Sequence, residues 1–133
     1  MTNFQDLLST VSRLFFDTSP IIYFVEAHPT YDALLIEAFQ LISQDRIVGV
    51  TSTLTLTEVL IHPLRVRATE LSQQYRDFLT NSTNFELRII DSSVAERAAE
   101  LRARYRFLRT PDALQLSVAL NTQCEAFLTN DKA

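Results

Sequence analysis

A chain of 133 residues fills one hydrophobic core and is too short for two, so a single site is expected. Its 47% hydrophobic and 21% charged residues are the balance of a folded chain, and a net charge of −4 argues against a strongly basic, nonspecific nucleic-acid binder. One glycine, Gly49, leaves no material for a Gly-rich phosphate loop, a dinucleotide fingerprint or a Gly-x-Ser-x-Gly elbow, and one cysteine, Cys124, excludes an internal disulfide.

The first residues, Met1 to Asp6, lack the basic stretch and apolar core of a secretory signal, and no apolar run approaches membrane-spanning length. A cytoplasmic protein is expected, with Cys124 as a helical packing residue in a reducing compartment. Phe4, Leu7, Leu8 and Val11 have the spacing of a short leading helix. Four apolar runs follow: Leu14-Phe15-Phe16, Ile47-Val48-Gly49-Val50, Leu87-Arg88-Ile89-Ile90 and Ala126-Phe127-Leu128. Runs of this kind are strands buried on both faces.

Between the runs the pattern is helical. Leu34, Leu35, Ala38, Phe39 and Ile42 mark one stripe; Leu71, Tyr75, Phe78 and Leu79 a second; Val94, Ala98, Leu101 and Tyr105 a third. Ser19-Pro20 and Thr110-Pro111 each place a capping hydroxyl before a proline suited to the first helical turn, and Thr53 and Ser92 are further cap candidates. His28 and His62 precede prolines, which suits loop ends better than a metal-binding helix. The order β-α-α-β-α-α-β-α-α-β predicts an α/β fold, a three-layer α/β/α sandwich whose central parallel sheet is covered by helices on both faces.

In an open parallel sheet, ligands bind outside the carboxyl ends of the strands, and the residues there are acidic. Asp17 follows the first run, Asp131 follows the Leu128-Thr129-Asn130 exit, Asp112 sits in the first turn of the helix at Thr110-Pro111, and Glu58 lies one turn into the helix after the second strand. Each has an ordinary explanation alone: a helix-dipole partner for Asp112, an exposed helical acid for Glu58, turn or capping residues for Asp17 and Asp131. Together at one end of a sheet they repel one another, a cost that a divalent cation offsets. Hard oxygen donors without His or Cys at useful spacing favour Mg²⁺ or Mn²⁺ over Zn²⁺, and suit phosphodiester hydrolysis by one ion or by two about 3.5–4 Å apart.

Phe15-Phe16-Asp17-Thr18-Ser19, Leu56-Thr57-Glu58-Val59-Leu60, Thr110-Pro111-Asp112-Ala113 and Phe127-Leu128-Thr129-Asn130-Asp131, in this order and strand context, resemble the PIN-domain family. That family includes the toxin nucleases of VapC-type toxin–antitoxin pairs and other RNA-processing nucleases. The resemblance implies a metal-dependent endoribonuclease with Asp17, Glu58, Asp112 and Asp131 as catalytic and metal-site residues, Ser19 or Thr129 assisting through hydroxyl hydrogen bonds, Mg²⁺ or Mn²⁺ as cofactor, a homodimer, and a small antitoxin partner near the pocket. It also implies one domain over residues 1–133, with residues 1–13 an N-terminal extension and a C-terminus short relative to the family, so that Asp131 is nearly terminal.

Eleven of the twelve basic residues are arginine, and Arg97, Arg102, Arg104, Arg106 and Arg109 crowd the approach to Asp112, with Arg65 and Arg67 as a smaller group. Arg106, Arg109, Arg65 and Arg67 are candidate RNA-phosphate contacts, since the guanidinium fork donates two hydrogen bonds at once. A solvated helix face with Glu100 and Arg104 paired is the plainer explanation of the larger group. The four proposed acids account for the whole net charge, −4 + 4 = 0 for the rest, so a short single-stranded or looped target is expected rather than a tightly wrapped duplex. Tyr23, Tyr31, Tyr75 and Tyr105 could stack on bases or pack in the core. Two other readings compete. An aspartyl phosphotransferase would need a second aspartate where Ser19 stands, and a noncatalytic PIN-fold binding or scaffold module would keep the fold without the chemistry.

Overall fold

A computed structural model describes residues 4–130. A short helix, α1 (Phe4–Leu8), precedes β1 (Arg13–Phe16), and three helix pairs then alternate with strands: α2 (Thr18–Val25) and α3 (Asp32–Ser43), β2 (Val48–Ser52), α4 (Thr53–Arg65) and α5 (Thr69–Asn81), β3 (Phe85–Arg88), α6 (Ser92–Arg104) and α7 (Thr110–Asn121), β4 (Ala126–Leu128). The strands form one parallel sheet in the order β3-β2-β1-β4, with Phe15 opposite Val50 on one side and Phe127 on the other. This is the α/β/α sandwich expected from the alternation of apolar runs and helical stripes.

The single core expected from the chain length is instead divided by the sheet into two clusters, one on each face of β1. Leu14 and Phe16 join Leu8, Ile21, Leu35, Ala38, Ile42, Val59, Tyr75 and Leu79 from α1 to α5. Phe15 turns the other way, with Val50, and meets Val94 of α6 and Val118 and Ala119 of α7. The three consecutive apolar residues after Arg13 are what burial on both faces requires. Gly49 serves close packing: a Cβ there would stand 2.5 Å from Phe85 Cδ2 and 2.9 Å from Ile42 Cδ1.

Several local expectations are corrected. The second and third strands sit differently from the apolar runs: β2 continues to Ser52, and β3 ends at Arg88, leaving Ile89 exposed. Strand length follows the parallel ladder, whose last pair is Ser52 with Arg88. The caps move one residue earlier. Ser52, not Thr53, accepts from Leu54 N–H, and Asp91, not Ser92, accepts from Val94 N–H. Ser19 and Thr110 lie inside the first turns of α2 and α7, which Asp17 and Arg109 precede without a side-chain cap bond.

His62 is within α4 rather than at a loop end, because buried Pro63 is carried in the last turn and its carbonyl accepts from Ala68 N–H at 2.8 Å. His28 does lie in the loop after α2, where its Nδ1 accepts from Thr30 N–H. Cys124 follows α7 instead of packing within it; half-buried beside the second core, its thiol is pushed up in pKa chiefly by desolvation. Leu34, Tyr105 and Leu7 face outward, and Val11 lies beyond α1.

Candidate active site

β1 delivers Asp17 at its carboxyl end, where the Asp17 backbone N–H donates to the Leu128 carbonyl at 3.0 Å and so ties the exits of β1 and β4 together. The adjacent β2 exit starts α4, which carries Glu58 one turn in, and α7 brings Asp112 in its first turn. These three acids line one open cavity of about 570 Å³ together with Thr18, Ser19 and Gln115. Arg109, His62 and Asn130 also line it. Asp131 lies outside the described residues.

Each acid has a defined anchor. Asp17 Oδ2 accepts from the Thr129 hydroxyl at 2.9 Å and its Oδ1 from Gln115 Nε2 at 3.3 Å. Glu58 Oε1 accepts from the Thr18 hydroxyl at 2.5 Å. Asp112 Oδ2 accepts from Arg109 Nε at 3.2 Å. Beneath them, Gln115 Nε2 donates to Thr55 Oγ1 at 2.8 Å and Gln115 Oε1 accepts from the Ser52 hydroxyl. Thr51 donates to the Phe16 carbonyl at 2.8 Å. Among the described residues no buried side-chain nitrogen or oxygen lacks a partner.

Sequence reasoning therefore brought Asp17, Glu58 and Asp112 to one cavity, with Ser19 in its wall and Thr129 bonded to Asp17. It missed Gln115, Thr18 and Thr55. Gln115 is only 2% exposed, although it stands between Leu114 and Leu116 in a helix with apolar residues on most sides. A polar residue one turn after Asp112 on such a helix was the available signal.

The basic residues divide. Arg109 lines the cavity, but Arg106, Arg65 and Arg67 do not. Arg97 donates to Asn121, and Arg102 to the Leu108 carbonyl and Thr110. Glu100 and Arg104 form no ion pair; those among the described residues are Arg13–Glu86, Arg88–Glu86 and Arg109–Asp112. Tyr75 is wholly buried and donates to Glu26, so it is no base-stacking surface, while Tyr23 and Tyr31 stack on each other.

The three acids offer oxygen donors, the set that hard divalent cations prefer, and His62 adds an imidazole to the same lining. Among the described residues, however, no three His, Cys, Asp or Glu side chains stand close enough to cage an ion. Thr18 and Arg109 each donate to one of the carboxylates, Glu58 and Asp112.

The sequence matches the PIN domain over residues 14–133. The chain belongs to the PIN-domain family. Among solved structures, this PIN domain is similar to a chain of a toxin–antitoxin complex from Klebsiella pneumoniae, with 26% identity over 90% of this chain and 88% of that one and a TM-score of 0.66. Two further likenesses, each at 19% identity, a TM-score of 0.70 and 90% of this chain, show the fold alone. One is VapBC2 from Rickettsia felis bound to a promoter DNA fragment, with 88% of that chain covered; the other is Mycobacterium tuberculosis VapC20, a sarcin–ricin loop cleaving toxin, with 90% covered. No curated protein matches the chain.

Proposed function

We propose that this PIN domain is a metal-dependent endoribonuclease that hydrolyses RNA phosphodiester bonds and acts as the toxin of a toxin–antitoxin pair. The observation that carries the reading is the convergence of Asp17, Glu58 and Asp112, from three separate segments, on one cavity at the carboxyl ends of the parallel strands. The Klebsiella toxin–antitoxin complex adds support. Asp17, Glu58, Asp112 and, by its motif, Asp131 are the residues that would hold Mg²⁺ or Mn²⁺; carboxylate oxygens suit either ion. When bound, the cation offsets the phosphate charge and makes a water a better nucleophile.

The chain's own residues supply the rest. Thr129 and Gln115 orient Asp17, and Thr18 orients Glu58. One of the carboxylates takes the proton of the attacking water as its oxygen bonds to phosphorus and the bond to the leaving ribose oxygen breaks. Arg109 releases Asp112 and donates to the phosphate, where its planar fork suits the spreading charge. Ser19 adds a hydroxyl to the wall. A small antitoxin protein would silence the site, a homodimer is the expected assembly, and the cytoplasm is where the RNA would be met. Among the described residues, no helix is long and apolar enough to cross a membrane.

The contact of Arg109 with Asp112 favours a second reading, a noncatalytic PIN-fold binding or scaffold module in which the chain's own cation pairs with one of the acids. Cleavage of a mixed structured RNA pool by the unmodified protein and by Asp112→Asn, with Mn²⁺ or Mg²⁺ and with chelator, separates the two. The nuclease requires metal-dependent cleavage that the substitution abolishes. A folded protein that neither cleaves nor binds Mn²⁺ is the module.

A further inference from the structure

We infer that Gln115 is a positioning residue for the metal site, holding the Asp17 carboxylate in its ligating orientation. The inference rests on the metal-dependent reading and names a residue outside the acidic set. An ionised Asp17 has only acceptors, so the Gln115 amide must turn Nε2 toward it, at 3.3 Å, and Oε1 away. That orientation is locked from behind. The Ser52 oxygen accepts from Leu54 N–H at 3.1 Å, leaving its single proton for Gln115 Oε1.

The second Nε2 proton goes to Thr55 Oγ1 at 2.8 Å. Thr55 Oγ1 in turn stands 2.9 Å from the Thr51 hydroxyl, which also donates to the Phe16 carbonyl, and 3.3 Å from the Thr18 hydroxyl. With Nε2 facing both Asp17 and Thr55 and Oε1 facing the Ser52 hydroxyl, the amide cannot flip without setting its oxygen against a carboxylate. Thr129 holds the other Asp17 oxygen from an exposed position at the exit of β4. Gln115 is the buried member of the pair, 2% exposed in α7.

Gln115→Met keeps the length of the side chain and removes both donors. Mn²⁺ binding is measured by calorimetry on the metal-free protein at neutral pH, for the unmodified chain, for Gln115→Met and for Ser117→Ala. Ser117→Ala deletes a buried hydrogen bond of the same helix, to the Val94 carbonyl, without touching Asp17. Loss of an outer partner weakens metal binding by about 10–100-fold. Gln115→Met should show that loss while remaining folded by its melting curve, and Ser117→Ala should bind within about twofold of the unmodified protein. Gln115→Met binding as tightly as the unmodified chain, or Ser117→Ala losing as much, overturns the inference and leaves the nuclease reading standing. An unmodified protein that binds no Mn²⁺ removes the metal reading and this inference with it.

Discussion

Asp17 is held from two sides, by an exposed threonine and a buried amide, and its backbone N–H also joins two strands. Removing its charge should therefore affect chemistry far more than folding. Asp17→Asn is expected to lower single-turnover RNA cleavage by more than the about 10–100-fold that an outer partner is worth. Its melting temperature should stay equal to the unmodified protein's or rise, because one source of repulsion among the acids is gone. Cleavage at the original rate would remove Asp17 from the site. Asp17 and Asp112 could be read from the sequence because one follows an apolar run and the other a proline-marked helix start, and Glu58 because it lies one turn into the helix after the second strand. Gln115, Thr18 and Thr55 could not, because their roles depend on which strand exits stand side by side, and single hydroxyls and amides within helices look alike until the sheet order is known.

At the scale of the element, helix ends show what a chain with one glycine must do instead. Four helices close with paired bonds from the two residues beyond the cap: His28 N–H to Tyr23 and Ala27 to Phe24, Arg46 to Leu41 and Asp45 to Ile42, Ala68 to Pro63 and Arg67 to Leu64, Cys124 to Ala119 and Gln123 to Leu120. The turning residue in each, Ala27, Asp45, Arg67 or Gln123, has φ between 53° and 62°, a conformation that costs an L-residue about 1–2 kcal/mol. Without glycines to mark them, these ends were invisible in the sequence, whereas the order of strands and helices was plain from hydrophobic period alone. Ala27→Gly should raise stability by about 0.5–1 kcal/mol, net of the extra freedom of the unfolded chain, in a denaturant titration. Gly49→Ala goes the opposite way, since its Cβ would press on the Phe85 ring; a loss of about 1–3 kcal/mol is expected. A stabilised Gly49→Ala would mean that β2 has room against β3 and α3.

At the scale of the whole molecule, charged groups stand at both ends of the sheet. The candidate site occupies the carboxyl ends, while a set of charges ties the amino-terminal side together. Arg13, at the start of β1, donates to both Glu86 oxygens, at 2.9 and 3.1 Å, and to the Thr122 carbonyl at the end of α7. Glu125 accepts from the Ser12 and Arg13 backbone N–H groups. The hydrogen bond from Arg13, ahead of the opposing effect of burial, holds Glu86 below its ordinary 4.5. A carboxylate lowered in the folded state contributes stability that is present above the unfolded value and lost as pH falls through the folded one. Tyr75 works in the other direction: burial first, then its bond to Glu26, raises it above 10.0. Its contribution is complete below that value and is lost as pH climbs beyond it, because the unfolded chain ionises first. Melting curves from pH 3 to 11 for the unmodified protein, Glu86→Gln and Tyr75→Phe separate the two groups. Glu86→Gln should be less stable at neutral pH, with its deficit closing as the solution is taken below about pH 4. Tyr75→Phe should cost about 1 kcal/mol at neutral pH, the net worth of one hydrogen bond, and should decline less steeply than the unmodified protein above about pH 10. Parallel curves over the alkaline range would show that the Tyr75 hydroxyl reaches water, and that α5 packs less tightly over the end of α2 than its complete burial indicates.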